Sequence, residues 1–98
     1  MLSNMNEIRV TDNPPGLRYE LWLDGELTGW IDYRLRRGTL VLLHTEVTPP
    51  KRERGLGTRL VHDALEDVRE RDLHMKPVCP FVAAYVRENP EYGDLVAR

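Results

Sequence analysis

One short basic segment that contains two glycines constrains this chain more than any other part: residues 52–57, Arg-Glu-Arg-Gly-Leu-Gly. It follows the apolar run 40–43 and precedes a segment with helical spacing from Thr58 onward. The order is therefore strand, basic loop, helix, and the start of a helix exposes unpaired backbone N–H groups and partial positive charge. Glycines let a ligand approach the backbone closely. The segment predicts a site for a phosphate or pyrophosphate; the alternative is a plain surface turn capped by glycine.

Length, charge and cysteine content narrow the function classes. A chain of 98 residues suits one small domain, residues 1–98, and its formal net charge of −2 does not support a general nucleic-acid surface. No apolar run approaches the roughly 20 residues that span a membrane, and we see no signal peptide. Cys79 is the only cysteine, so we expect no disulfide within the chain and no metal site. A lone cysteine fits a reducing, cytoplasmic compartment.

The first half of the chain is predicted to form antiparallel strands. Strands are expected at residues 8–11, 17–23, 27–35 and 39–47, with hairpin turns at Asp24-Gly25 and Arg37-Gly38. The last strand begins with an unbroken apolar run, which predicts burial on both faces. Arg34, Arg36 and Arg37 form a basic cluster near a turn; it fits either a solvated turn or a surface that steers an acidic partner.

The second half predicts a strand–helix–strand crossover. The apolar stripe of the first helix packs on the sheet; it consists of Leu56, Leu60, Val61, Ala64, Leu65 and Val68. A short strand at 75–78 and a second helix at 81–88 follow, with Pro80 near that helix's first turn. A right-handed crossover makes the two flanking strands parallel. Because ligands bind beyond the carboxyl ends of such strands, we expect a site where residues 44–46 and 78–79 meet the glycine loop.

The motif and its surroundings resemble a known family. Residues 47–57 look like the acetyl-CoA motif of the GNAT superfamily of N-acetyltransferases, approximately V-x-P-x-x-R-G-x-G-x-G; the matching residues are Val47, Pro49, Arg52, Gly55 and Gly57. Glu53 stands where a glycine is usual. Residues 44–47, Cys79-Pro80-Phe81, Tyr85 and residues 89–92 resemble the short single-domain GNAT subfamily. The similarity covers roughly residues 39–95.

The resemblance implies a compact mixed α/β fold that binds acetyl-CoA or CoA. Loop amides would cradle the CoA pyrophosphate, and the pantetheine arm would lie between two splayed strands. The implied cofactor-binding residues are Val47, Thr48, Arg52, Arg54, Gly55, Leu56, Gly57 and Thr58. Two departures matter: the usual pair of helices after the first strand is replaced by a turn at 12–16, and the usual final strands are missing. Those parts help to shape the acceptor site, so the resemblance supports cofactor binding better than any particular acceptor.

His44 and Glu46 are the candidates for a general base. An amine must be neutral to attack a thioester, so a base helps, directly or through water. The two residues lie two apart on a strand and therefore share a face. The alternative is that His44 is a hydrogen-bonded polar residue and Glu46 a surface charge.

The resemblance also implies roles for Tyr85 and Cys79. Tyr85 matches the tyrosine that in many GNAT enzymes protonates the leaving thiolate; otherwise it is an aromatic that packs the second helix. Cys79 matches a cysteine beside the cofactor sulfur. It could accept the acetyl group as a thioester, line the site, or be a small buried hydrophobe.

The sequence is therefore interpreted as an acetyl-CoA-dependent N-acetyltransferase acting on an amine of a small molecule or protein. Two alternatives remain: a CoA-binding module without significant catalysis, and an interaction domain whose glycine loop binds another phosphate. The acceptor and the oligomeric state are left open, a homodimer included, and we expect neither a nucleic-acid nor a membrane partner.

Overall fold

The computed structural model describes residues 7–49 and 55–98. These form a five-stranded sheet in the order β1-β2-β3-β4-β5. The elements are β1 Ile8–Asn13, β2 Arg18–Leu23, β3 Glu26–Arg36, β4 Thr39–Val47, α1 Leu56–Glu70, β5 His74–Pro77 and α2 Pro80–Glu88. Strands β1 to β4 are antiparallel, and β5 is parallel to β4. The predicted mixed sheet with one parallel pair is confirmed.

Two tight turns fix the pairing of the antiparallel strands. Asp24 and Gly25 have φ of 51° and 84°, and Arg37 and Gly38 have φ of 51° and 80°. Two successive positive φ angles favour the turn whose twist matches that of the flanking strands. Both predicted hairpins are confirmed. Leu17, predicted to begin β2, instead lies before it with φ of 56° and is exposed, because it closes the short 3-10 helix Pro14–Gly16.

Helix α1 buries its predicted apolar stripe against one face of the sheet. Gly29 on β3 lies beneath it: a Cβ there would meet the Glu46 carbonyl oxygen at 3.0 Å and Leu60 Cδ2 at 3.5 Å. The small residue lets helix and sheet approach closely. Val82 of α2 belongs to the same buried cluster, so both helices cover one face, hereafter the helical face.

A β-bulge at Leu43 decides which side chains of β4 share a face. Asp32 pairs with His44, yet the next residue, Tyr33, pairs with Leu42, so Leu43 is the extra residue. Before the bulge Leu40 and Leu42 are buried, whereas Val41 and Leu43 are only partly buried. The predicted burial of this strand on both faces is therefore wrong. The second face, hereafter the open face, carries no helix among the described residues, so Val41 keeps access to solvent.

A polar network ties the end of α1 to the sheet. The Tyr19 hydroxyl donates to Asp67 at 2.7 Å, and the Tyr33 hydroxyl donates to Asp12 at 2.6 Å. Arg71 bridges both carboxylates, at 2.9 Å from Asp12 and 3.1 Å from Asp67. Because every member has a partner, the buried hydroxyls cost little.

The C-terminal elements differ slightly from expectation. Strand β5 ends at Pro77, one residue before the predicted end, because the Val78 amide turns back to the Lys76 carbonyl at 3.0 Å. Helix α2 begins one residue earlier than predicted, at Pro80. A 3-10 helix that was not predicted, Pro90–Leu95, buries Tyr92 and Leu95 against the core.

Candidate active site

The site lies where β4 and β5 separate. Their last paired residues are Leu42 and Pro77, and the Cys79 amide adds one bond to the Leu42 carbonyl at 2.8 Å. Beyond this point β4 continues to Val47, while the segment after β5 turns into α2. The two segments thus diverge and leave a cleft at the carboxyl end of the parallel pair.

A cavity of about 320 Å³ occupies this cleft on the helical face. Its lining combines the end of β4, the start of α1 and the first turn of α2: Thr45, Val47, Gly55, Gly57, Thr58 and Phe81. The volume lies within the range of small-molecule sites. Four of these residues were predicted cofactor-binding positions, whereas Thr45 and Phe81 were not.

The two missed residues left a weak signal in the sequence. Thr45 stands between His44 and Glu46, so strand alternation places it on the opposite face from both. Phe81 lies one helical turn before Tyr85, on the same side of α2, and it is exposed to 45% in spite of its large apolar ring. An exposed aromatic at the mouth of a cleft is available to contact a ligand.

The start of α1 has the features of an anion site. Gly55 is the N-cap with φ of 71°, and no described side chain caps the helix. The first intrahelical bond runs from the Arg59 amide to the Gly55 carbonyl at 3.2 Å. The amides of residues 56–58 therefore lack helical partners, and no acidic residue occupies the first turn. Such an end favours a negatively charged ligand.

Gly57 makes room for an aromatic ring. A Cβ at this position would lie 3.1 Å from Phe81 Cζ and 3.7 Å from Val47 Cγ2. The missing side chain therefore lets α1 and α2 meet at the cleft, in addition to leaving the backbone accessible from the cavity.

The remaining predicted cofactor-binding residues are Thr48, Arg52, Arg54 and Leu56. The Leu56 side chain is buried in the core, so only its backbone can serve a ligand. The Thr48 amide already donates to the Thr28 carbonyl at 2.9 Å. Arg52 and Arg54 lie outside the described residues.

His44 and Glu46 lie together on the open face, on the other side of β4 from the cavity. His44 Nε2 is 3.0 Å from Glu46 Oε1. Their side chains are exposed to 60% and 31%. Across β3 they pair with Asp32 and Trp30. The expected shared face is confirmed, and both groups are accessible from solvent.

Cys79 is buried at the point where β4 and the segment after β5 separate. It is exposed to only 3%, and its Sγ lies 3.4 Å from Thr45 Oγ1. It is also the N-cap of α2, where its carbonyl accepts from the Ala83 amide at 2.9 Å. Through Thr45 the thiol adjoins the lining of the cavity.

Tyr85 is partly buried and lies next to Tyr92, at 5.8 Å between ring centroids. Burial raises the pKa of Tyr85. Tyr92 donates to Glu66 at 2.6 Å. Tyr85 does not line the cavity itself; Phe81, one turn earlier on α2, does.

Two kinds of feature are absent from the described part of the chain. No group of three or more His, Cys, Asp or Glu side chains there could hold a metal ion. No helix there has the length and apolar character to cross a membrane.

The fold and the cleft agree with a family comparison. The model of the GCN5-related N-acetyl-transferase family matches residues 18–95, well over half of the chain. The chain belongs to this family. The match includes the parallel strand pair, the glycine loop and α2, the segments that build the cleft.

Curated relatives match a shorter segment of the chain than the family model does. Protein NATD1 of Xenopus tropicalis is 40% identical over 52 residues, which cover 53% of this chain and 48% of that protein. Protein NATD1 of Homo sapiens is 43% identical over 49 residues, which cover 50% and 43%. The aligned segment spans less than half the length of these relatives.

Proposed function

We propose that this protein is an acetyl-CoA-dependent N-acetyltransferase that moves an acetyl group to an amine of a small molecule or protein. One observation carries the proposal: successive residues of β4 face two different sites. Thr45 and Val47 line the cavity beside the uncapped start of α1. His44 and Glu46 lie on the open face of the same strand. A donor and an acceptor could therefore meet across the separated strand ends.

The cleft fits the chemistry of CoA. Its anionic pyrophosphate suits the amides of residues 56–58 and the positive end of α1. The methyl and methylene groups of the pantetheine arm suit Val47 and Phe81, which both lie near Gly57. Acetyl-CoA supplies an activated thioester carbonyl carbon; the chain supplies orientation and proton transfer.

Glu46 and His44 fit the role of a base. An ammonium substrate must lose a proton before its nitrogen lone pair can attack, and either group can take it, directly or through water. Attack forms the N–C bond and breaks the C–S bond, so the sulfur leaves as a thiolate. Tyr85, one turn beyond Phe81 on α2, is the residue suited to protonate it, because its raised pKa keeps the phenol protonated.

Cys79 suits a lining role better than a nucleophilic one. Its thiol is almost fully buried and rests against the Thr45 hydroxyl. A nucleophilic thiol needs access and thiolate character. A direct transfer from thioester to amine therefore needs no covalent step at Cys79.

Intact-mass measurement tests the proposal. The protein is incubated with acetyl-CoA and a panel of amines, including a polyamine and lysine-containing peptides, and heat-inactivated protein is the control. We expect at least one amine to gain the mass of one acetyl group only with folded protein. Binding of CoA without any acetylated amine would instead identify a CoA-binding module. Failure to bind CoA at all would favour an interaction domain for another phosphate.

A further inference from the structure

A basic groove lies on the open face, away from the cavity. It has a volume of about 660 Å³ and is lined by Arg36, Arg37, Thr39, Val41, Lys76, Val78, Ala97 and Arg98. Among the residues that the structure describes, no carboxylate side chain lines it. In a chain with a formal net charge of −2, four cationic side chains around one groove are a marked local excess.

The fold brings these cations together from separate segments. Arg36 ends β3, and Arg37 occupies the hairpin turn with φ of 51°. Lys76 lies on β5, whose parallel pairing places it beside Val41. The turn and the strand pairing hold the cations around a floor formed by Thr39 and Val41.

Three of the groove's cations have no salt-bridge partner in the described part of the chain. Within residues 7–49 and 55–98, Arg36, Arg37 and Lys76 form no salt bridge, whereas Arg18, Arg59, Arg69 and Arg71 each do. All three are exposed. Their charge is available to an anion from solution.

The groove and the candidate base share one face of the sheet. Val41 and His44 are separated by the bulge at Leu43, and both point to the open face. On β3 the partners of Val41, His44 and Glu46 are Arg34, Asp32 and Trp30, because the bulge adds no step along the sheet. At a strand rise of about 3.3 Å per residue, His44 lies about 7 Å and Glu46 about 13 Å from Val41 along the strand. The face thus carries positive charge at one end and the carboxylates of Asp32 and Glu46 at the other.

We propose that the acceptor is an acidic peptide. Its lysine ammonium group is drawn to Asp32 and Glu46, and its carboxylates, roughly two to four residues away, lie in the basic groove. This inference rests on the proposed acetyl transfer. An extended peptide rises about 3.3 Å per residue, so that spacing matches the separation on the sheet. Opposite charges at the two ends also fix the direction in which the peptide lies.

The same face disfavours a nucleic acid. A phosphate backbone leaving the groove along the sheet would meet the carboxylates of Asp32 and Glu46, which share the open face. Like charges at these positions oppose a continuous polyanion. A short segment that changes sign along its length avoids this repulsion.

Matched peptides test the proposal. Each has one lysine and three glutamates placed two to four residues before or after it, and the control has glutamines at those positions. We expect the acidic peptide to have a kcat/KM about tenfold higher at low salt, through KM rather than kcat, with the preference shrinking as salt rises. Lys76→Glu and Arg36→Glu should each reduce the preference by about 3- to 10-fold. Arg87→Glu, an equal charge change at the end of α2, should leave it intact.

Direct binding separates this inference from the proposed function. Fluorescence anisotropy measures the affinity of the labelled acidic peptide for the CoA-saturated protein. Charge-dependent binding without acetylation would support the peptide surface and contradict the transferase. Acetylation of both peptides with equal kcat/KM would overturn the acidic acceptor and leave the transferase standing. Absence of peptide binding, or tighter binding of a single-stranded oligonucleotide, would also overturn the inference.

Discussion

His44 Nε2 and Glu46 Oε1 lie 3.0 Å apart on the open face of β4, while Thr45 between them faces the cavity. The Leu43 bulge is responsible, because it shifts the register with β3 just before these residues. If Leu43 paired regularly with Asp32 and the bulge were absent, the imidazole and carboxylate would point towards α1. One strand therefore presents ionisable groups to one side and a cavity of about 320 Å³ to the other.

The first prediction concerns this pair. If one of the two groups is the base, Glu46→Gln or His44→Ala should lower kcat by roughly 10²–10⁴-fold. CoA affinity should change little, because neither side chain lines the cavity. Glu26→Gln, at an exposed position at the start of β3, is the matched control. Losses below a few-fold in both variants would remove the pair from the mechanism and leave solvent as the base.

The second prediction concerns Cys79. Its thiol adjoins the cavity through Thr45, so bound CoA should slow its alkylation by iodoacetamide in the folded protein. Protein unfolded in urea should be alkylated equally fast with and without CoA. Cys79→Ala should keep most of the activity if the thiol only lines the site. Equal rates in the folded protein with and without saturating CoA would contradict the placement of the cofactor next to Cys79.

The third prediction is that the protein loses stability at alkaline pH through the buried hydroxyl of Tyr19. Burial, followed by the hydrogen bond to Asp67, raises the pKa of Tyr19 well above its ordinary value of 10.0. The folded state therefore holds this proton more tightly than the unfolded state, and the resulting stability is complete below pH 10 and is lost as pH rises further. Absorbance of tyrosinate and circular dichroism should change together above that pH.

A conservative variant isolates the hydroxyl. Tyr19→Phe removes the donor but leaves Asp67 paired with Arg71 at 3.1 Å. We expect a loss of about 1 kcal/mol in the free energy of unfolding at neutral pH. We also expect a shallower decline above pH 10. A decline identical to that of the wild type would show that another group controls alkaline unfolding.

The fourth prediction couples Gly57 to Phe81. Replacing a helical glycine with alanine stabilises by roughly 0.5–1 kcal/mol where there is room. In the wild type the added Cβ would meet Phe81 Cζ at 3.1 Å, so Gly57→Ala should gain little. In a Phe81→Ala background the full gain should return. A double-mutant cycle in urea measures the coupling, and additive effects would contradict the contact.

Local patterns were sufficient for most of the fold. Asp24-Gly25 and Arg37-Gly38 specify their own turns, and the apolar stripe of α1 follows helical spacing, so these elements were predicted within one or two residues. The local sequence pattern could not predict whether one or both faces of β4 are buried. Its apolar run is compatible with one or two covered faces, and only the position of α2 beside α1 decides between them.

The candidate site was predicted by motif more than by geometry. The glycines and Cys79 stand out by residue type and order. Thr45 and Phe81 do not, because their role depends on the bulge at Leu43 and on the close approach of α2 to Gly57. Both are tertiary features that no local pattern specifies.

Calorimetric titration with CoA tests the central claim most directly, because it asks whether the cleft at the start of α1 holds the cofactor. Gly57→Glu adds a carboxylate where the pyrophosphate should bind, and it should weaken affinity at least about tenfold through charge repulsion. Phe81 can rotate away from the new side chain, so the fold should persist. Gly93→Glu adds the same charge at an exposed glycine with no atom within 4 Å of its Cβ position and should bind as the wild type does. An unchanged CoA affinity in a folded Gly57→Glu variant would contradict the account.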